Sequence, residues 1–183
     1  VGSCAVLAGG NPPPLDTYDL TAPGLVDTGR TSRRQILVPE PVALKPYDGQ
    51  DIVVRTGPRS IAFLAGAQWA DRLPRILQAR LAEALQNSNR FAGVGLPGQG
   101  LAIDDQILVE VRAFEIRAGE TARAHASLFV KLLNDRNGVV RAARLFEASA
   151  PVTGDSNGDY ARALDAAFQA AAAEIVEWAA ARL

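Results

Sequence analysis

The sequence holds no methionine, one cysteine, one histidine and only two lysines among its 183 residues. A lone Cys4 excludes a disulfide framework and any zinc site built on several cysteines. A lone His125 removes most histidine metal sites and leaves little material for a catalytic triad. Charge of one sign is also missing, since 19 basic side chains face 20 acidic ones for a net of −1. Nucleic-acid binding shows as an excess or cluster of Lys and Arg, so no nucleic-acid partner is expected. No apolar run reaches the roughly 18 residues of a membrane-crossing helix.

What is present suits one globular domain. The chain is 48% hydrophobic, and its length supports a full core without covalent staples. The 17 arginines and 33 alanines look like the codon bias of a GC-rich genome.

With no Met and Val1 in first position, we expect an N-terminus trimmed after a secretory signal. Small residues followed at once by Cys4 look like the end of a bacterial lipobox, which makes Cys4 the expected site of lipid attachment. Free cysteines are usually buried, and a cysteine beside a chain end departs from that habit. Ala5–Pro14 has Gly and Pro punctuation, no period and no charge, which is a tether composition. Residues 1–14 are therefore read as lipobox remnant and flexible tether, and 15–183 as a single α+β domain.

Along that domain, short strands are expected at Tyr18–Leu20, Gln35–Val42, Asp51–Arg55 and Ser60–Leu64, with Pro39 and Pro41 marking the second as an edge strand or as its end. Asp71–Asn87 has the helical spacing Leu73, Leu77, Leu81, Ala84, Leu85, with Asp71 as N-cap and Trp69 as a plug ahead of it. Three longer strands follow at Gln106–Arg117, Arg123–Leu133 and Val139–Ala150. A hairpin turn at Asn134–Gly138 joins the last two, and broken alternation around Ala142–Arg144 suggests a bulge. A closing helix from about Tyr160 to Ala181, capped by Asp159, buries Leu164, Phe168, Ala171, Ile175 and Trp178. The pattern predicts an antiparallel or mixed sheet with two helices packed on one face.

Gly93–Gly98 spells G-x-G-x-x-G, but it follows a helix and leads towards a strand, so it reads as a connector rather than a dinucleotide loop. Asp155, Asn157 and Asp159 open like a calcium loop, yet Tyr160 and Ala166 occupy the positions of its glycine and bidentate glutamate. A turn and helix cap account for them better. Asp104 and Asp105, adjacent on a strand, point to opposite faces. His125 alternates with Arg123, Ser127 and Lys131 on a polar face and reads as solvated. Alternation also places Phe114 with Glu110 and Arg112, and Phe129 with His125 and Lys131. Two aromatics among charges form a candidate partner surface; burial under a loop or helix is the competing reading.

Taken in order, several segments resemble the auxiliary lipoproteins of ABC-type transport systems, the family of paraquat-inducible protein C. They are Cys4, Tyr18-Asp19-Leu20, Leu37-Val38-Pro39, Ile52-Val53-Val54-Arg55 and Trp69-Ala70-Asp71-Arg72-Leu73-Pro74. Gln106–Phe114, Arg144-Leu145-Phe146-Glu147-Ala148 with Pro151-Val152, and Trp178 complete the set. The resemblance implies a periplasmic, non-enzymatic adaptor, lipid-anchored at Cys4 to the outer membrane because Ala5 rather than Asp follows it. Its implied partner is the mammalian-cell-entry-class substrate-binding protein of an ABC transporter that moves lipid between envelope membranes. It implies no catalytic residue, cofactor or metal. A homo-oligomer is compatible with such a role. The alternative function is a carrier holding an acyl chain between sheet and helices, which requires a large apolar cavity.

Overall fold

The structure is a computed structural model that describes residues 12–24 and 29–183. Cys4 and the tether up to Asn11 lie outside the described residues. Within them the chain forms β1 (Asp16–Tyr18), β2 (Gln35–Leu37), β3 (Val42–Ala43), β4 (Val53–Gly57), β5 (Ser60–Phe63) and β6 (Ala67–Trp69). Helix α1 (Leu73–Asn87), β7 (Gly93–Gly95), β8 (Asp105–Arg117), β9 (Arg123–Asn134), β10 (Val140–Pro151) and α2 (Asn157–Ala180) follow.

Strand β8 is the axis of the fold. One of its edges runs antiparallel to β9, which in turn pairs antiparallel with β10. Its other edge receives three short parallel strands in succession: β2 at Asp105, β3 at Glu110 and β4 at Glu115. The expected single strand Gln35–Val42 is thus split in two. Pro39 and Pro41 lack the N–H donors a ladder needs, so pairing stops at Leu37 and resumes at Val42. Strand β5 folds back on β4, and β7 pairs parallel with β2, so the G-x-G part of the glycine run is a strand rather than pure connector. Strands β1 and β6 form a separate parallel ribbon. The result is a single α+β domain with a mixed, curled sheet and two helices, as the residue pattern predicts.

Both helices lie on the same side. Helix α2 packs across β9, β10 and β8, and α1 packs against α2 and β7. Every residue of the two expected stripes is buried, and each large side chain among them contributes about 1.5–3 kcal/mol. The caps differ from expectation. Helix α2 starts at Asn157 with Ser156 as N-cap, and Asp159 closes a capping box from the third helical position. Arg72, not Asp71, stands at the α1 N-cap position; the Asp71 carboxylate accepts from the adjacent Arg72 amide instead.

Two register shifts decide which side chains face the helices. In β10 the extra residue is Arg141, between Val140 and Ala142, one position before the expected bulge. In β8 it is Arg112, between Val111 and Ala113, and no bulge is expected there. Before it, Ile107, Val109 and Val111 face the helices; after it, Phe114 and Ile116 do, opposite Ala126 and Ala124. The core is filled by large rings. Trp69 packs on Phe114 with centroids 5.9 Å apart, and Phe146 meets Trp178 edge-on at 5.3 Å. Trp69 is the plug ahead of α1 that the sequence suggests.

Candidate functional site

The sheet face turned away from the helices is the candidate site. Across its middle, cross-strand register aligns Leu145 of β10, Phe129 of β9, Glu110 of β8 and Val42 of β3. Val42 is 65% exposed, Leu145 43%, and Phe129 half-buried. The Arg112 guanidinium lies 4.9 Å from the Phe129 ring centre and the Lys131 ammonium 5.7 Å. A shallow groove of about 170 Å³ runs beside them, bounded by Glu40, Val42, Leu108 and Phe129. The row is apolar at Leu145, Phe129 and Val42 and charged at Glu110, with Arg112 and Lys131 beside it, the mixed surface that protein-binding patches carry.

Phe114 does not join it. The Arg112 bulge inverts the alternation, and Phe114 sits in the core at 1% exposure, where no partner reaches it. The surface expected of two aromatics therefore has one, Phe129.

Beyond the bulge the same face holds a buried polar cluster. Glu115 is 1% exposed and accepts from Tyr47 Oη, from Arg55 Nε at 3.2 Å and Nη2 at 3.0 Å, and from Arg117 Nε at 3.3 Å. Burial alone would raise its carboxyl, but the Arg55, Tyr47 and Arg117 donors outweigh that and hold it below the usual carboxylate range. Tyr47 is pushed up to about 12 by burial and by Glu115. The Pro46-containing 3₁₀ turn at Lys45–Tyr47 is what brings this hydroxyl over β8. Sequence reading has no signal for it, because Tyr47 and Glu115 are 68 residues apart.

His125, in register with Glu115, is on the expected face but is not solvated: it is 7% exposed. Its Nδ1 lies 3.2 Å from Ser149 Oγ and its Nε2 3.5 Å from Glu147. Burial, with help from the Arg117 charge, lowers its pKa and favours the neutral ring. Sheet pairing on both sides explains the difference, since β8 and β10 crowd the ring from either flank.

Asp104 and Asp105 diverge as predicted. Asp104 accepts from the Gln35 amide, while Asp105 is fully buried between Arg34 Nη1 at 2.8 Å and Arg141 Nε at 2.6 Å. Asp159 serves the α2 cap. Among the described residues no group of three His, Cys, Asp or Glu is placed to hold a metal ion, and no helix is long and apolar enough to cross a membrane.

Comparison with known proteins bears on this arrangement. The family model described as ABC-type transport auxiliary lipoprotein component matches residues 18–176, from β1 through most of α2. The chain belongs to that family. An uncharacterized protein of Bradyrhizobium diazoefficiens is 32% identical over 175 residues, covering 93% of this chain and 46% of the relative. The chain thus spans about half the length of that curated relative. A crystal structure of a Xanthomonas campestris protein superposes with a TM-score of 0.83 at 25% identity, covering 91% of this chain and 95% of the other. A hypothetical protein from Chlamydia trachomatis shares the fold at 11% identity and a TM-score of 0.58, over 82% of this chain and 98% of its own.

Proposed function

We propose that the chain is the periplasmic adaptor of a mammalian-cell-entry-class lipid transport system. In this reading Cys4 carries a lipid that fixes it to the inner leaflet of the outer membrane, and residues 5–14 are the spacer. The helix-free face around Phe129 receives the substrate-binding protein of the transporter. The observation that carries the reading is the division of labour between the two sheet faces. One is closed by α1 and α2, with Trp69, Phe114, Phe146 and Phe168 filling the interior. The other presents Leu145, Phe129, Glu110 and Val42 in one row. An interior packed in this way supports an adaptor over an acyl-chain carrier, which needs room for its cargo.

The test is affinity purification of the lipidated protein from crosslinked envelopes, with wild type and Phe129→Ser side by side. Recovery of a mammalian-cell-entry-class protein with its permease or ATPase, reduced in the variant, is the expected result. Recovery of phospholipid alone would sink the adaptor reading in favour of a carrier. Equal recovery by both proteins would remove Phe129 from the interface. A native mass spectrum of the same material reads whether copies of the chain associate.

A further inference from the structure

The outer face carries a second feature beyond the docking row, sharing Arg112 with its edge. At one end of the sheet three neighbouring strands each place an arginine at the same level: Arg55 of β4 is in register with Arg117 of β8, and Arg117 with Arg123 of β9. Like charges directly opposite across strands are destabilising. The Arg112 bulge brings a fourth guanidinium alongside. The carboxylates in contact with these four are Glu115, shared by Arg55 and Arg117, and Glu110, which takes Arg112. Positive charge is therefore in excess.

Arg55, Arg112 and Arg117 surround a basin of about 590 Å³ whose floor includes the small residues Ala113 and Gly57, with Glu115 beneath. Glu115 is saturated by its own donors and acts as a brace, clamping Arg55 through Nε and Nη2 and Arg117 through Nε. Among the described residues, Nη1 of Arg55, Nη1 of Arg112 and both Nη atoms of Arg117 make no hydrogen bond. Planar guanidiniums held in fixed orientation match oxyanions better than mobile ammonium groups do. Three of them, from two strands and a bulge, offer donors to several oxygens of one tetrahedral group.

We propose that this basin binds a phosphate-type oxyanion, carried either by a free phosphate ester or by the headgroup of an anionic phospholipid. Bound there, the anion neutralises the arginine row that the protein's own carboxylates leave in excess.

The test uses the 183-residue chain and two probes: glycerol 3-phosphate by titration calorimetry, and phosphatidylcholine vesicles with or without phosphatidylglycerol by co-sedimentation. Arg112→Gln/Arg117→Gln is compared with wild type and with a charge-matched control, Arg75→Gln/Arg136→Gln, whose sites lie elsewhere. Arg112→Gln alone serves if the double variant unfolds, because Arg112 is half-exposed and braces nothing buried. We expect binding weakened at least tenfold in the basin variant and unchanged in the control. Arginine-dependent binding of glycerol 3-phosphate identifies a free ester as sufficient. Arginine-dependent binding of phosphatidylglycerol vesicles alone identifies the headgroup. No binding of either probe at millimolar phosphate, or equal loss in the control, overturns the proposal.

Discussion

Replacing Glu115 by Gln removes the charge to which Tyr47, Arg55 and Arg117 all donate, at almost unchanged volume. Breaking a fully buried ion pair from one side costs about 3–5 kcal/mol. Here Arg55 is 31% and Arg117 51% exposed, so water recovers part of their solvation, and we expect about 2–3 kcal/mol. For a chain of this length that lowers Tm by roughly 4–12 °C. Urea unfolding followed through Trp69 and Trp178, both buried, reads the change at pH 7. The pH dependence supplies a second, stricter check. The folded Glu115 carboxyl lies below its unfolded value of 4.5, so its contribution is complete above 4.5 and is lost as pH falls through the folded value. The gap between wild type and Glu115→Gln must therefore narrow in acid while both remain folded. A loss below about 1 kcal/mol at pH 7, or a gap that stays constant into acid, would refute the idea that a charged Glu115 organises this end of the sheet.

Two further expectations concern the same sheet. Phe114→Ala should cost about 3–5 kcal/mol, as core aromatics do, and Phe129→Ala about 1 kcal/mol or less; similar losses in urea unfolding would contradict the bulge-inverted register. His125 has a folded pKa below its unfolded value of 6.5, so its stabilisation is complete above 6.5 and is lost as pH falls towards the folded value. Unfolding curves between pH 7 and pH 5 should show wild type weakening and His125→Gln weakening less, and parallel slopes would count against a buried neutral ring.

The helices and the long strands are legible in the sequence because each buries one continuous stripe, and period alone locates such a stripe. The strand parities are harder. In β8 the apolar phase runs through Ile107, Val109 and Val111, then resumes out of step at Phe114 and Ile116. That break is visible in the letters, and reading the whole strand in one phase is what moves Phe114 to the wrong face. His125 has the right parity but the wrong environment, since burial on a sheet face depends on what Glu115, Glu147 and Ser149 do on neighbouring strands. The Glu115 cluster has no local signature at all. Its members come from a 3₁₀ turn, β4 and β8, and only the parallel docking of β4 on β8 brings them together. Cys4 and the tether rest on residue order, and of residues 1–14 the structure describes only Pro12–Pro14.

The β1–β6 ribbon also sets how the domain responds to mechanical load arriving from its N-terminal side. Tension entering at Asp16 meets a ladder three residues long, fixed by Asp16 N–H to Gly66 O at 2.8 Å and Ala70 N–H to Tyr18 O at 2.7 Å. Behind it stands the clasp in which the Thr21 amide and hydroxyl both donate to Asp165 of α2 at 2.7 Å. Neither belongs to the sheet built around β8. A pull on the leading segment thus meets a short ribbon and a side-chain clasp before it meets the sheet that carries Phe129.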